Sequence, residues 1–231
     1  MKKNVESILI IGLGMIGASL ALASKSKGIK VFGYDSNDLA LESANKENYI
    51  DDSFKSLEEI NNKNLSDKID LVIVCVPPRQ TQEVLNNIHE LWNTSMTITD
   101  TSSVKNHLKV KDVNNIILSH PIAGSDRSGL FAADSELYID KKNVICDPFK
   151  ANDEHLKRLI DFWESAMQMR TSVMTVNDHD LIFAMTSHLP HLVSYALIDS
   201  IRLSSSNVED NAGGGLKEFL RLSGSNSEMW S

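Results

Sequence analysis

Short aliphatic runs, each followed by a longer amphipathic stretch, organise most of this chain. The runs lie at residues 7–11, 30–34, 70–76, 96–100, 115–118 and 143–146. Short Val/Ile-rich segments separated by helix-length spacers predict strands alternating with helices. The runs are nearly continuous rather than strictly alternating, as expected of strands covered on both faces, hence of a mainly parallel sheet flanked by helices. The expectation is an α/β fold with a Rossmann-like, doubly wound sheet. A seventh run, at 170–174, follows a helix-like stretch at 152–167 and adds an edge strand.

The pattern changes after Val176. Residues 178–203 hold no glycine, a single proline, and apolar residues at helical spacing, among them Leu181, Ala184, Leu192, Ala196 and Leu197. A long helix is expected there, capped by Asn177-Asp178 and kinked at Pro190, which removes a backbone donor and crowds the preceding turn. A loop at 204–207 and a short helix at 216–222 follow. This segment is too short to bury a core of its own. A dinucleotide-binding part over 1–174 and a helical part over 175–231, packed on the first part or on a second copy of the chain, are therefore expected, and a homodimer with them.

Composition narrows the class. The chain has 231 residues, 42% hydrophobic and 23% charged, with 23 Lys+Arg against 31 Asp+Glu and a formal net charge of −8. These are the proportions of a globular chain with a sizeable core. No cluster of basic residues offers a field for nucleic acid, and no apolar run of roughly 20 residues suggests a span or a leader. Cys75 and Cys146 lie in apolar runs without metal-ligand spacing, so reduced packing thiols, no metal site and a cytoplasmic location are expected.

Gly12-Leu13-Gly14-Met15-Ile16-Gly17 directly follows the first strand and opens a helix rich in small residues. In that context the first glycine permits a tight turn, the second lets a pyrophosphate approach the backbone, and the third brings helix and strand together. Asp35 ends the second strand about 20 residues on, where a carboxylate accepts ribose hydroxyls. It would repel a 2′-phosphate, so NAD is favoured over NADP. Val76-Pro77 ends the third strand at the edge where such ligands bind.

The chemistry is expected at Ser119-His120-Pro121-Ile122-Ala123-Gly124-Ser125, after the fifth strand. An imidazole aimed at the nicotinamide crevice can take the proton of a substrate hydroxyl while hydride leaves the same carbon. Asp100-Thr101-Ser102-Ser103-Val104-Lys105, on the same edge, supplies hydroxyls to orient it and a cation. His89, His107 and His155 lie in polar sequence and receive no role.

Taken in order, these motifs resemble the prephenate dehydrogenase family, which includes the arogenate and cyclohexadienyl dehydrogenases of tyrosine biosynthesis. The resemblance extends through Asp126-Arg127-Ser128-Gly129, His179-Asp180, Ser187-His188-Leu189-Pro190-His191, Arg221 and Trp230. It implies NAD-dependent oxidative decarboxylation of prephenate to 4-hydroxyphenylpyruvate. It also implies that His120 is the catalytic histidine, Ser103 the serine that positions it, Arg221 the binder of a substrate carboxylate, and His188 and His191 histidines lining the pocket. His191 leans toward prephenate over arogenate. The segment around Arg221 departs from the family's usual wording, and the chain ends at Ser231, where relatives continue, which implies a truncated helical part. Arogenate or dual-specificity dehydrogenase and a non-catalytic dinucleotide binder are the alternatives; a β-hydroxyacid dehydrogenase is disfavoured because residues 178–203 lack a lysine.

Overall fold

The computed structural model describes residues 5–62, 68–92, 94–111, 113–124, 127–204 and 213–224. The chain begins with β1 (Ser7–Ile11), α1 (Met15–Ser26), β2 (Lys30–Tyr34), α2 (Asp38–Lys46), β3 (Asp52–Ser53) and α3 (Leu57–Asn62). It continues with β4 (Leu71–Val74), α4 (Pro78–Asn87) and β5 (Thr97–Asp100). These five strands form one parallel sheet in the order β3-β2-β1-β4-β5, the doubly wound arrangement expected. The continuous apolar runs are explained by its two covered faces. Ile8 and Ile10 of β1 and Leu71 and Ile73 of β4 enter one core, while Leu9, Ile11, Val72 and Val74 enter the other.

Beyond β5 the chain leaves this parallel sheet. Ile116 makes a single parallel bridge to Ile98, and the strand proper is β6 (Leu118–Ile122). It pairs antiparallel with β7 (Lys142–Cys146), which pairs parallel with β8 (Arg170–Val173). His120 therefore stands within a strand rather than in a loop after one. Pro121 is tolerated there because β6 is an edge of its three-stranded sheet, where a missing backbone donor need break no ladder.

Between β7 and β8 runs α5 (Asp153–Asp161), continued by a π turn at Phe162–Ala166. Next come α6 (Val176–Phe183), a second π turn (Ala184–His188), α7 (Leu189–Arg202) and α8 (Gly214–Ser223). The cap of α6 is Thr175, not Asn177-Asp178: its hydroxyl accepts from Asp178 N and donates to Asp178 Oδ2, a reciprocal capping arrangement. Pro190 occupies the second position of α7, directly after the π turn, so the backbone disturbance its ring demands is absorbed as a widened turn.

Ser194 Oγ donates to Phe219 O, fastening α8 along α7. Leu181, Met185, Leu192 and Val193 remain exposed. The continuous helical stretch Val176–Arg202 is long and apolar enough, by length and hydropathy alone, to cross a membrane, which the sequence reading did not anticipate. Cys75 and Cys146 are free thiols, Cys146 fully buried.

Candidate active site

The turn after β1 is built around two steric constraints and one opening. Gly12 has φ +99°, and a Cβ there would lie 2.7 Å from Cys75 O; a Cβ on Gly17 would lie 1.9 Å from Gly12 O. Neither position admits a side chain, whereas a Cβ on Gly14 meets nothing within 4 Å. Gly14 is also the N-cap of α1 and provides no side-chain cap, so the helix begins open toward the crevice, the arrangement that suits a pyrophosphate. Buried Leu13 and half-buried Met15 and Ile16 complete the turn.

Asp35 braces this turn as well as facing the crevice. Its Oδ2 accepts from Leu13 N at 2.6 Å and its Oδ1 from Asn37 N at 2.8 Å. Each carboxylate oxygen keeps a second lone pair for a ribose hydroxyl. Val76 packs beside Gly12, and Pro77 caps α4. These residues fit a dinucleotide.

On the neighbouring strand ends lies a buried polar assembly. Lys105 and Asp100 form an ion pair at 2.6 Å with neither side chain reaching solvent, and Lys105 Nζ also donates to Ser119 O. Burial lowers the Lys105 pKa, opposed by Asp100. Asp100 accepts from the N–H groups of Ser102 and Ser119, at 3.0 and 3.3 Å. Ser119 Oγ in turn bonds Thr99 Oγ1 and accepts from Trp163 Nε1. The backbone just before His120 is thereby tied to the loop after β5.

His120 Nδ1 lies 2.9 Å from His179 Nε2, and His179 Nδ1 lies 2.7 Å from Asp180 Oδ1. Asp180 also accepts from Lys105 N at 2.9 Å and Asn106 N at 2.8 Å. The ring of Phe183 stands 4.7 Å from both imidazoles. Burial first, then the charge of Lys105 and repulsion from His179 and His188 when protonated, push the His120 pKa down to about 2. Burial also lowers His179 and His188, against Asp180. For Asp180 itself burial acts upward, but the hydrogen bonds from His179, Asn106 and Lys105 outweigh it and hold the carboxyl below its usual range. The result is a neutral imidazole in the middle of β6.

The structure gathers some of the expected residues and not others. His188 is close enough to act on His120 electrostatically. His191 Nδ1 instead faces Leu222 O at 3.1 Å, linking α7 to α8. Arg221 is two-thirds exposed and pairs with Glu218 on its own helix at 3.1 Å, so within one chain it is not delivered to His120. The ring partner of His120 is His179, where the resemblance implied Ser103, which lies half-buried on the loop after β5. In the sequence His179-Asp180 was only one of the motifs that carry the family resemblance. Sequence reasoning placed His155 in polar surroundings, yet that ring is buried and bonds Thr97 Oγ1 at 2.9 Å. Ser125, Asp126 and Trp230 lie outside the described residues.

Comparison with known proteins is consistent with this geometry. Residues 19–170 match the family model for the prephenate dehydrogenase nucleotide-binding domain, and 175–231 that for the prephenate dehydrogenase dimerization domain. A cyclohexadienyl dehydrogenase of Zymomonas mobilis is 29% identical over 97% of this chain and 78% of its own. A prephenate dehydrogenase of Bacillus subtilis is 30% identical over 100% of this chain and 64% of its own. The crystal structure of prephenate dehydrogenase from Aquifex aeolicus, in complex with hydroxyphenyl propionate and NAD+, superposes with a TM-score of 0.86 at 30% identity, covering 98% of this chain and 80% of that one. The chain belongs to the prephenate dehydrogenase family.

Proposed function

We propose that this chain catalyses NAD-dependent oxidative decarboxylation of prephenate to 4-hydroxyphenylpyruvate. The observation that carries the reading is His120: a half-buried, neutral imidazole held by its hydrogen bond to His179 on β6, a strand that Lys105 and Asp100 tie to the loop after β5. Gly12, Leu13, Gly14, Met15, Ile16, Gly17, Asp35, Val76 and Pro77 would hold NAD, which supplies the hydride acceptor when bound. His120 accepts the proton of the ring hydroxyl as the carbinol carbon is oxidised. Loss of the ring carboxylate as carbon dioxide then makes the ring aromatic, so the protein's task is mainly to position the substrate and polarise it. The family resemblance gives pocket roles to Ser103, on the loop after β5, to His188, on the π turn before α7, and to His191 on α7.

A substrate with two carboxylates entering a chain of net charge −8 needs a local cation. Arg221 is the candidate, since its planar fork can hold a carboxylate through two bonds. Its exposure, and that of the apolar face of α6 and α7, support a homodimer in which a second copy covers that face. The same pairing explains the exposed apolar helix without a membrane. In this reading the chain divides into a nucleotide-binding part, 1–174, and a helical dimerisation part, 175–231. The partners are a small cyclohexadienyl acid and a second copy, not nucleic acid, and the location is cytoplasmic.

Purified protein should produce NADH and 4-hydroxyphenylpyruvate from prephenate and NAD, faster than from arogenate or with NADP. Preferential turnover of arogenate would replace prephenate as the substrate. NAD binding without turnover of either compound would leave a dinucleotide binder.

A further inference from the structure

We infer that His179 and Asp180 are positioning residues that set the tautomer of His120, leaving its Nε2 as the bare lone pair that meets the substrate hydroxyl. The inference rests on the functional reading above but reaches beyond it, because it names the groups that make His120 a competent base. It follows from counting protons along a three-member chain.

Asp180 accepts at both oxygens from the backbone N–H groups of Lys105 and Asn106, so it acts as an ionised, acceptor-only carboxylate. The atom of His179 facing it, Nδ1 at 2.7 Å, must therefore carry a hydrogen. A neutral imidazole holds one ring hydrogen, so Nε2 of His179 is an acceptor. The nitrogen 2.9 Å from that acceptor is His120 Nδ1, which must in turn be the protonated one. One position then remains on His120, and it is unprotonated.

A wrong tautomer would present an N–H to the substrate hydroxyl and could accept nothing. The proton leaving the substrate oxygen forms a bond to His120 Nε2, and its electron pair stays on oxygen to make the carbonyl. The imidazolium so formed keeps its Nδ1–H on His179, with the Asp180 carboxylate beyond it. His179 is wholly buried, so no water competes for the middle of the chain. Lys105 and His188 oppose protonation of His120, while Asp180, by its hydrogen bond and charge, and Asp100 favour a proton on His179.

Three substitutions separate this role from simple packing. In Asp180→Asn the amide can keep its oxygen on Asn106 N and place its NH2 at the Oδ1 position toward His179, giving up the bond from Lys105 N, which reverses both ring tautomers and buries the lone pair of His120 in the chain. His179→Gln retains the relay, because the amide oxygen accepts from His120 Nδ1 and the NH2 donates to Asp180. His179→Leu retains neither. Histidine-15N NMR of the full-length protein at neutral pH, assigned with these variants and His120→Asn, should show His120 protonated at Nδ1 in the wild type and at Nε2 in Asp180→Asn. Turnover of prephenate should fall roughly 100-fold or more in kcat for Asp180→Asn and His179→Leu, within the range expected for general-base loss, while His179→Gln recovers most of it and NAD affinity stays nearly constant. A wild-type His120 protonated at Nε2, or an Asp180→Asn enzyme of undiminished kcat, would overturn the assignment. The tautomers can be read without substrate: an inactive wild type with the stated tautomers would overturn the functional reading and still support the positioning roles.

Discussion

Lys105 and Asp100 meet at 2.6 Å with no solvent on either side chain, at the joint between β5 and the strand that carries His120. The pair costs desolvation that its mutual attraction repays only while both partners are present. Lys105→Met should therefore strand a buried carboxylate and destabilise the fold by about 3 to 5 kcal/mol, and adding Asp100→Asn should return a substantial part of that loss. Chemical denaturation of the single and double variants measures the difference; equal losses in both would show that the ion pair is not the source.

The glycine turn makes a prediction that separates folding from cofactor binding. Gly12→Ala and Gly17→Ala place a Cβ against backbone oxygen and should unfold or severely destabilise the chain. Gly14→Ala meets no protein atom and should melt close to the wild type, yet lose NAD affinity by an order of magnitude or more because the methyl faces the opening of α1. Thermal melts beside NAD titrations followed by fluorescence test the contrast. Unchanged NAD affinity in Gly14→Ala would put the cofactor elsewhere.

Acid should destabilise this protein through its histidines. The pKa of His120 is lowered from 6.5 to about 2, and those of His155, His179 and His188 are lowered too, so below pH 6.5 the unfolded chain binds protons that the folded chain refuses. Their contribution to stability is intact above pH 6.5 and is lost as pH falls toward the folded values. His120 alone adds a slope of about 1.4 kcal/mol per pH unit within that window. Denaturant unfolding at stepped pH should show His120→Asn with a shallower acid slope than the wild type; parallel curves would mean the ring is not held neutral.

The apolar face of α6 and α7 predicts association. Leu192 is 58% exposed and lies among other exposed apolar residues, a surface that a second copy would cover. Leu192→Glu should shift the protein from dimer to monomer in sedimentation velocity. A wild type that sediments as a monomer would contradict the dimer.

How much of this was legible in the sequence depended on whether the cause was local. β1, β2 and β4 were readable because burial on both faces leaves uninterrupted aliphatic runs, and the glycine turn because its motif occupies six consecutive residues. β3, with only Asp52 and Ser53, has no apolar signature at all. β6 was read as ending at Leu118, since Ser119-His120-Pro121 looks like a loop until its edge position is known. His120 itself was identified, but its partner lies 59 residues away, and nothing local at His179-Asp180 points to it. The burial of Lys105 was hidden for the same reason, because its partners come from β5 and β6 rather than from its own neighbourhood.

The central claim is that the imidazole of His120 removes a proton from the hydroxyl of prephenate as NAD is reduced. The most direct test compares wild type and His120→Asn in parallel, measuring NAD affinity and the initial rate of NADH formation from prephenate. The expected result is near-equal NAD affinity with turnover lost by at least about a hundredfold in the variant. Turnover in His120→Asn at a rate comparable to the wild type would contradict it.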